Sequence, residues 1–197
     1  MMIFFNFFVV GVVSFSNLSA RQVHGVSSIP VEKAIDLENS QIKWKGYKVL
    51  GEHAGFVKFS EGTLLLQEQG HIVGGRFKVD LSSLECTDLE GNVKKKLENH
   101  LKGKDFFDAN SFPYAELTIE YTKKLSKNSY NVMAKLSIRG QTNTEEFKLT
   151  TFEGGAIAKL TIDRTKYGAN YNSGSILDNL ADKTIYDEFD LQVKLIY

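Results

Sequence analysis

The chain has 197 residues, and its 24 lysines and arginines are balanced by 24 aspartates and glutamates. This length predicts one domain with at most a short extension, and the zero formal charge argues against a global attraction to nucleic acid or to an anionic membrane. We interpret the local basic patch, Lys94–Lys96 with Lys102 and Lys104, as the solvated face of a short helix. The single cysteine, Cys86, excludes an intramolecular disulfide, and we interpret it as a packing residue.

The N-terminal segment, residues 1–20, is typical of a signal peptide. Its apolar run from Ile3 to Phe15 is shorter than the ~20 residues that span a bilayer, and small residues follow it. We expect residues 21–34 to be a linker and residues 35–197 to be one domain, soluble and without stable membrane insertion. This order predicts a periplasmic or secreted protein. An uncleaved anchor is the alternative, because no charged residue precedes Arg21.

Alternation of apolar and polar residues dominates the chain after residue 40 and predicts about eight strands with one wet face each. Such strands form antiparallel sheets, and closure into a barrel covers the apolar face and removes exposed edges. The sequence therefore predicts an all-β, eight-stranded antiparallel barrel. The strand segments are 42–50, 53–68, 71–81, 114–122, 129–138, 145–152, 156–164 and 187–197.

Two helical segments interrupt the strands, at 92–101 and 175–181. The first has Asn92 as its predicted N-cap and apolar residues every four positions, and the second has Ser175 as its cap. We expect one or two short helices, each closing an opening of the barrel, because each has a single apolar stripe to bury.

Motifs for catalysis or metal binding are weak. The four histidines, His24, His53, His71 and His100, share no metal-ligand spacing, although a site assembled from distant strands stays open. We find no nucleophile elbow, phosphate loop or dinucleotide fingerprint. The sequence predicts no catalytic residue, metal or cofactor. The rival hypothesis is an isomerase or hydrolase that uses an inward His53 or His71.

Arg164 is the polar residue that least fits the inward pattern. Counted from Leu160 and Ile162, it falls on the apolar face, and a buried guanidinium requires a carboxylate or an anionic ligand. We expect a structural ion pair with Asp105 or Asp108, and an anionic head group is the alternative.

The ordered motifs resemble the YceI-like polyisoprenoid-binding family. The resemblance covers residues 35–197 and implies an extended lipocalin-like barrel, exported, with an apolar tunnel for an isoprenoid or a similar amphiphile and with no established enzymatic activity. The matching segments are Ser40–Gly46, His53–Gly55, Gly74–Leu84, Leu97–Leu101, Asp105–Asp108, Phe112–Ala115, Leu136–Thr142 and Ile162–Gly168.

The sequence and this resemblance together predict a protein that binds a lipophilic small molecule, with a homodimer left open. A side-chain-filled barrel that serves as an interaction module is a further alternative, since an eight-stranded barrel holds either side chains or one small ligand. The expected ligand-binding residues are Trp44, Phe56, Val73, Phe77, Leu117, Ile119, Leu136, Leu160, Ile162, Arg164, Tyr167 and Tyr171.

Overall fold

The computed structural model describes residues 29–174 and 184–197. Within these ranges nine strands form one antiparallel sheet with a single α-helix, α1 (Gly91–Lys102). Two short 3₁₀ helices, Glu68–Gly70 and Arg164–Tyr167, connect strands. The strands are β1 (Val31–Ala34), β2 (Gln41–Lys48), β3 (Gly51–Gln67), β4 (His71–Cys86), β5 (Tyr114–Ser126), β6 (Ser129–Ile138), β7 (Gln141–Phe152), β8 (Gly155–Asp163) and β9 (Ile185–Ile196).

Strands β2 to β9 close into a barrel of eight antiparallel strands. Their order is β3-β2-β9-β8-β7-β6-β5-β4, and the last strand, β4, also pairs with the first, β3, which closes the barrel. Alternate residues of each strand face the interior; in β6 these are Tyr130, Val132, Ala134, Leu136 and Ile138, all buried. The predicted fold is therefore confirmed.

Strand β1 lies on the edge of β3 beyond the end of β2, with Val31 opposite Leu66 and Ala34 opposite Thr63. Residues 31–34 are thus a strand, although they fall within the predicted linker. The cause is tertiary: β3 has 17 residues against eight in β2, so part of its edge is left for another strand to pair with. The calculated Cβ of an alanine at position 62 would lie 2.4 Å from Cδ1 of Ile35, so Gly62 makes room for this contact within one continuous strand.

The hairpins close at polar and glycine-marked turns. Ile138 pairs with Gln141, so the β6–β7 turn consists of Arg139 and Gly140, whose φ angles are 50° and 72°. Two positive φ angles are those of a type I′ turn, whose twist matches that of the strands.

Shifts of strand register change which side chains face inward, and two of them alter the predicted faces. Leu65 pairs with Gly74 and Leu66 pairs with Ile72, so Val73 is the extra residue on β4. A second irregularity in β5 follows Ile119 and leaves Tyr121 55% exposed, whereas strict alternation places Tyr121 on the apolar face.

The predicted helix at 92–101 is confirmed as α1, but its N-cap is Glu90 rather than Asn92, and no side chain makes the capping hydrogen bond. The predicted helix at 175–181 and the predicted signal peptide lie outside the described residues. Among the residues that are described, no helix is long and apolar enough to span a bilayer.

Candidate functional site

An apolar cavity of about 180 Å³ lies inside the barrel, and all eight barrel strands contribute to its wall. Most lining positions alternate along their strand, as in Ile42, Trp44 and Gly46 of β2, because every second side chain of a strand points inward. The cavity follows from closure of an amphipathic sheet around side chains that leave part of the interior unfilled.

The cavity is elongated along the barrel. On β9 its lining runs from Ile185 to Leu195, which at ~3.3 Å per residue corresponds to about 33 Å of strand. The smallest side chains of the wall, Ala115 on β5 and Ala158 on β8, are both buried. An extended apolar chain matches this shape better than a compact ligand does.

Three polar residues of the lining gather where the pairing of β2 with β9 shifts register, between Gly46 and Lys48. Tyr47, Tyr186 and Glu188 line the cavity there and also line a groove on the outer surface, so the cavity and the groove adjoin. Tyr47 donates a hydrogen bond of 2.6 Å to Asp190, and this bond raises the pKa of the tyrosine to about 12.

Trp44 is fixed in the wall by its own ring nitrogen. Its Nε1 donates to the carbonyl oxygens of Phe56 and Glu85, at 3.3 and 3.2 Å. The calculated Cβ of an alanine at position 55 would lie 1.8 Å from the carbonyl oxygen of Glu85 and 2.8 Å from the indole ring. Gly55 is therefore required for the close approach of β3, β4 and the indole.

The end of α1 and the segment after it supply Leu101, Phe106 and Phe107 to the cavity wall. The two phenylalanine rings meet edge to face with centroids 4.8 Å apart. Phe107 in turn lies 6.1 Å from the ring of Phe189 on β9, and Phe106 is buried. The expectation that this helix closes part of the barrel agrees with these contacts.

Arg164 is 2% exposed and borders the cavity. Its Nε donates to the carbonyl of Tyr186 at 3.1 Å and its Nη2 to that of Ile185 at 2.9 Å, while Nη1 donates to the carbonyl of Ala169. Burial lowers the pKa of the guanidinium, and the nearby carboxylate of Asp187 opposes that effect.

The inward position predicted for Arg164 is correct, but the predicted partners are wrong. The ion pair is with Asp187, at 3.6 Å, and not with Asp105 or Asp108. The guanidinium also lies 5.2 Å from the ring of Phe106. Its contacts join the 3₁₀ helix at 164–167 to the start of β9, which is a structural arrangement.

Seven of the twelve expected ligand-binding residues line the cavity. They belong to six different elements, and the barrel brings them together although they are spread over 121 positions of the chain. These residues are Trp44, Phe77, Leu117, Ile119, Leu136, Leu160 and Arg164.

The other five expected residues lie outside the lining. Phe56 is on the outer face, where the ammonium of Lys43 lies 5.5 Å from its ring. Val73 is the extra residue of the β4 bulge. Ile162 is fully enclosed in the core, and Tyr171 is 40% exposed.

Tyr167, the fifth of them, is fully buried in the 3₁₀ helix and donates a hydrogen bond of 2.6 Å to Glu145. Burial, reinforced by this bond, raises the pKa of the phenol. Tyr167 thus attaches the 3₁₀ helix to β7 and does not face the cavity.

Much of the cavity wall consists of residues that were not expected to bind the ligand. Several of the omitted residues were already assigned to apolar strand faces, so alternation carried the signal that would have found them. The omitted apolar lining residues of β3, β4, β7 and β9 are Val57, Phe59, Val79, Leu81, Leu84, Phe147, Leu149, Ile185, Phe189, Leu191, Val193 and Leu195.

The histidines named in the enzyme hypothesis do not line the cavity. Nδ1 of His53 lies 2.8 Å from Oδ2 of Asp88, and Nε2 of His71 contacts the ammonium of Lys124. Cys86 is fully buried, and its burial raises the pKa of the thiol to about 11. None of these three side chains lines the cavity, so the arrangement expected for catalysis inside the cavity is not present among them.

Comparison with known protein families gives one match that covers most of the chain. The model of the YceI-like domain matches residues 34–197. A UPF0312 protein of Staphylococcus aureus strain bovine RF122 / ET3-1 is 38% identical over 110 residues, which are 47% of this chain and 61% of that protein. The corresponding protein of strain USA300 is 34% identical over 110 residues, again 47% of this chain and 61% of that protein. The chain thus spans about three fifths of the length of these curated relatives.

Solved structures show the same fold. BcnA of Burkholderia cenocepacia superimposes with a TM-score of 0.66 at 21% identity, covering 83% of this chain and 99% of BcnA. A polyisoprenoid-binding domain of Saccharophagus degradans gives 0.56 at 13% identity, with 83% and 96% covered. The YCEI protein of Campylobacter jejuni gives 0.51 at 14%, with 95% and 88% covered.

Proposed function

Because the chain belongs to the YceI-like domain family, we propose that it binds an isoprenoid or similar lipophilic amphiphile inside the barrel, for sequestration, transport or storage. The observation that carries the proposal is the elongated apolar cavity, whose wall comes from all eight barrel strands. A barrel used only as an interaction module has its interior filled by side chains. The polyisoprenoid-binding domain among the structural neighbours supports the ligand class and favours a binding role over catalysis.

The hydrogen bonds that Arg164 already makes limit which head group the ligand can have. A guanidinium has five N–H donors; three of those of Arg164 bond backbone carbonyls, and Nη2 also faces Asp187. Few donors are left for a phosphate, and a second anion beside Asp187 would be repelled. We therefore propose that the uncharged chain of the ligand lies in the cavity and that the polar end of the ligand lies at the edge lined by Tyr47 and Tyr186.

The proposal is tested by filling the cavity. Ala158 is 5% exposed and lines the wall, so Ala158→Phe places a ring where the ligand chain is expected. The matched control is Ile157→Phe, since the neighbouring Ile157 is 38% exposed and is not part of the lining. Overpacking of this kind costs ~1–3 kcal/mol of stability, so circular dichroism confirms that both variants fold.

Native mass spectrometry after incubation with a long-chain polyprenol measures occupancy, and fluorescence of Trp44, the chain's one tryptophan, reports from the wall itself. We expect at least a tenfold weaker affinity for folded Ala158→Phe and an unchanged affinity for Ile157→Phe. Ala115→Phe, on the opposite part of the sheet, repeats the test if Ala158→Phe does not fold. Equal affinities of the inward variant and the wild type would contradict the proposal.

Export of the protein is a separate proposal and is supported by the apolar run at residues 1–20. In this proposal the signal peptide is cleaved after residue 16 or residue 20, so the mature protein begins at the next residue. N-terminal sequencing of the protein from its native host measures this directly, and recovery of Ile3 to Phe15 in membrane-bound protein would contradict it.

A further inference from the structure

Three side chains with metal-binding atoms meet where β3 begins and β4 ends, and none of them lines the apolar cavity. They are His53 on β3, Cys86 at the end of β4 and Asp88 two residues further on. His53 Nδ1 lies 2.8 Å from Asp88 Oδ2, and Cys86 Sγ lies 2.9 Å from Asp88 Oδ1. The nitrogen, sulfur and oxygen atoms all lie within 4.8 Å of one another, and this is the one such group among residues 29–174 and 184–197.

Backbone hydrogen bonds hold the three residues in place. The N–H of Thr87 donates to the carbonyl of Ala54 at 2.9 Å, and the N–H of Ala54 donates to Oδ1 of Asp88 at 3.1 Å. The N–H of Cys86 donates to Oε1 of Glu98 on α1, at 2.8 Å. The segment after β4 is thus fastened to β3 on one side and to the helix on the other, which preorganises the side chains between them.

We propose that His53, Cys86 and Asp88 form a binding site for one divalent transition-metal ion of the zinc class. Imidazole nitrogen, thiolate sulfur and carboxylate oxygen are the three donor types that Zn²⁺ uses in proteins. The hard cations Ca²⁺ and Mg²⁺ prefer oxygen ligands alone, so the sulfur and nitrogen select against them. Three protein ligands leave a fourth tetrahedral position for water or another small ligand.

The geometry needs only a small adjustment. Tetrahedral zinc with bonds of about 2.0–2.3 Å separates its ligand atoms by about 3.3–3.8 Å, so the two contacts to Asp88 must each open by less than ~1 Å. The sulfur is buried, whereas the side chains of His53 and Asp88 are 24% and 36% exposed, so an ion enters from solvent past these two. On binding, the thiol of Cys86 loses its proton to solvent, and the lone pair of His53 Nδ1 binds the metal.

Cobalt(II) gives the sharpest test, because a cysteine thiolate bound to Co²⁺ produces a charge-transfer absorption in the near ultraviolet. The chain has one cysteine, so such a band comes only from Cys86. The full chain, stripped of metal with a chelator, is titrated with Co²⁺ and, by calorimetry, with Zn²⁺. We expect one ion per chain, a thiolate–cobalt band, and displacement of that cobalt by zinc.

The variants separate a metal site from a hydrogen-bonded cluster. His53→Gln and Cys86→Ser should each weaken zinc affinity at least tenfold, and Cys86→Ser should abolish the band. His71→Gln is the control, because His71 is a half-buried histidine that contacts Lys124 instead. His53→Gln removes a partly exposed side chain, so it keeps the test valid if Cys86→Ser fails to fold.

The absence of the band in wild-type protein, or equal zinc affinities of His53→Gln and His71→Gln, would overturn the proposal. Because none of the three residues lines the cavity, polyprenol binding should be unchanged in His53→Gln. Failure of the metal site and failure of the lipid proposal are therefore distinguishable.

Discussion

Replacement of Arg164 by methionine tests whether this buried cation is structural. The substitution keeps an unbranched side chain but removes the charge, three hydrogen bonds to the carbonyls of Ala169, Ile185 and Tyr186, and the pairing with Asp187. The three carbonyls lose a donor, and Asp187 loses its ion pair with the guanidinium, in a region where Arg164 itself is 2% exposed.

The expected magnitude follows from two opposing contributions. Each hydrogen bond to a charged group is worth about 1.5–3 kcal/mol, and removing the guanidinium also removes its ion pair with the carboxylate of Asp187. Relief of the guanidinium's own desolvation offsets part of this loss, so the net destabilisation is about 3–5 kcal/mol, as for other broken buried pairs. Arg164→Lys should recover only part of it, because an ammonium cannot reproduce the planar fork.

Urea unfolding of ligand-free protein, followed by circular dichroism, measures this difference. Arg76→Met is the matched control, because Arg76 is exposed on the outer face of β4, and its loss should change stability by less than ~0.5 kcal/mol. If Arg164→Met lost less than about 1 kcal/mol without ligand but bound a polyprenyl phosphate far more weakly than a polyprenol, Arg164 would be a head-group residue and our reasoning would be wrong.

Three further predictions, each with a paired comparison, have defined outcomes in the same unfolding assay, and the last also requires the polyprenol-binding measurement. Gly55→Ala should destabilise the protein by ~1–3 kcal/mol, because the new Cβ clashes with the carbonyl of Glu85. Gly46→Ala should be tolerated, because no atom lies within 4 Å of its new Cβ. Equal losses of stability in the two variants would contradict the close approach of β3 and β4 at Gly55. Tyr167→Phe should lower the free energy of unfolding by about 1–2 kcal/mol at neutral pH. Because the pKa of Tyr167 is raised in the folded protein, the wild type should lose this extra stability as pH rises above about 10, where the unfolded phenol ionises. If the stabilities of the wild type and Tyr167→Phe changed in parallel with pH, this reasoning would be refuted. Phe106→Ala should cost ~3–5 kcal/mol as a buried truncation, while Phe107→Ala, half-buried beside the cavity, should cost less and weaken polyprenol binding more.

The sequence alone was sufficient to predict the barrel and much of its wall. Period-two alternation is local, since each strand presents every second side chain to one face whatever its partner is. It therefore placed Leu117, Ile119, Leu136 and Leu160 correctly on the inner face, and it found the inward position of Arg164 by the same count. Closure followed because a sheet with one apolar face must cover it.

Local alternation fails wherever a bulge or a distant segment intervenes. The bulge at Val73 and the irregularity after Ile119 depend on how neighbouring strands pair, and no residue type marks them. The partner of Arg164 proved to be Asp187, which is 23 positions away and is brought close by the pairing of β8 with β9.

The cluster of His53, Cys86 and Asp88 shows the same limit at the level of chemistry. In the sequence, His53 stands 33 positions before Cys86, and no ligand spacing connects the histidines of the chain. Antiparallel pairing sets Gly55 opposite Cys86. The N–H of Thr87 then donates to the carbonyl of Ala54, and the N–H of Ala54 donates to the carboxylate of Asp88, which brings Asp88 beside both side chains. Residue type and alternation are local properties that the sequence carries by itself, whereas which side chains converge depends on strand register, which only the folded barrel fixes.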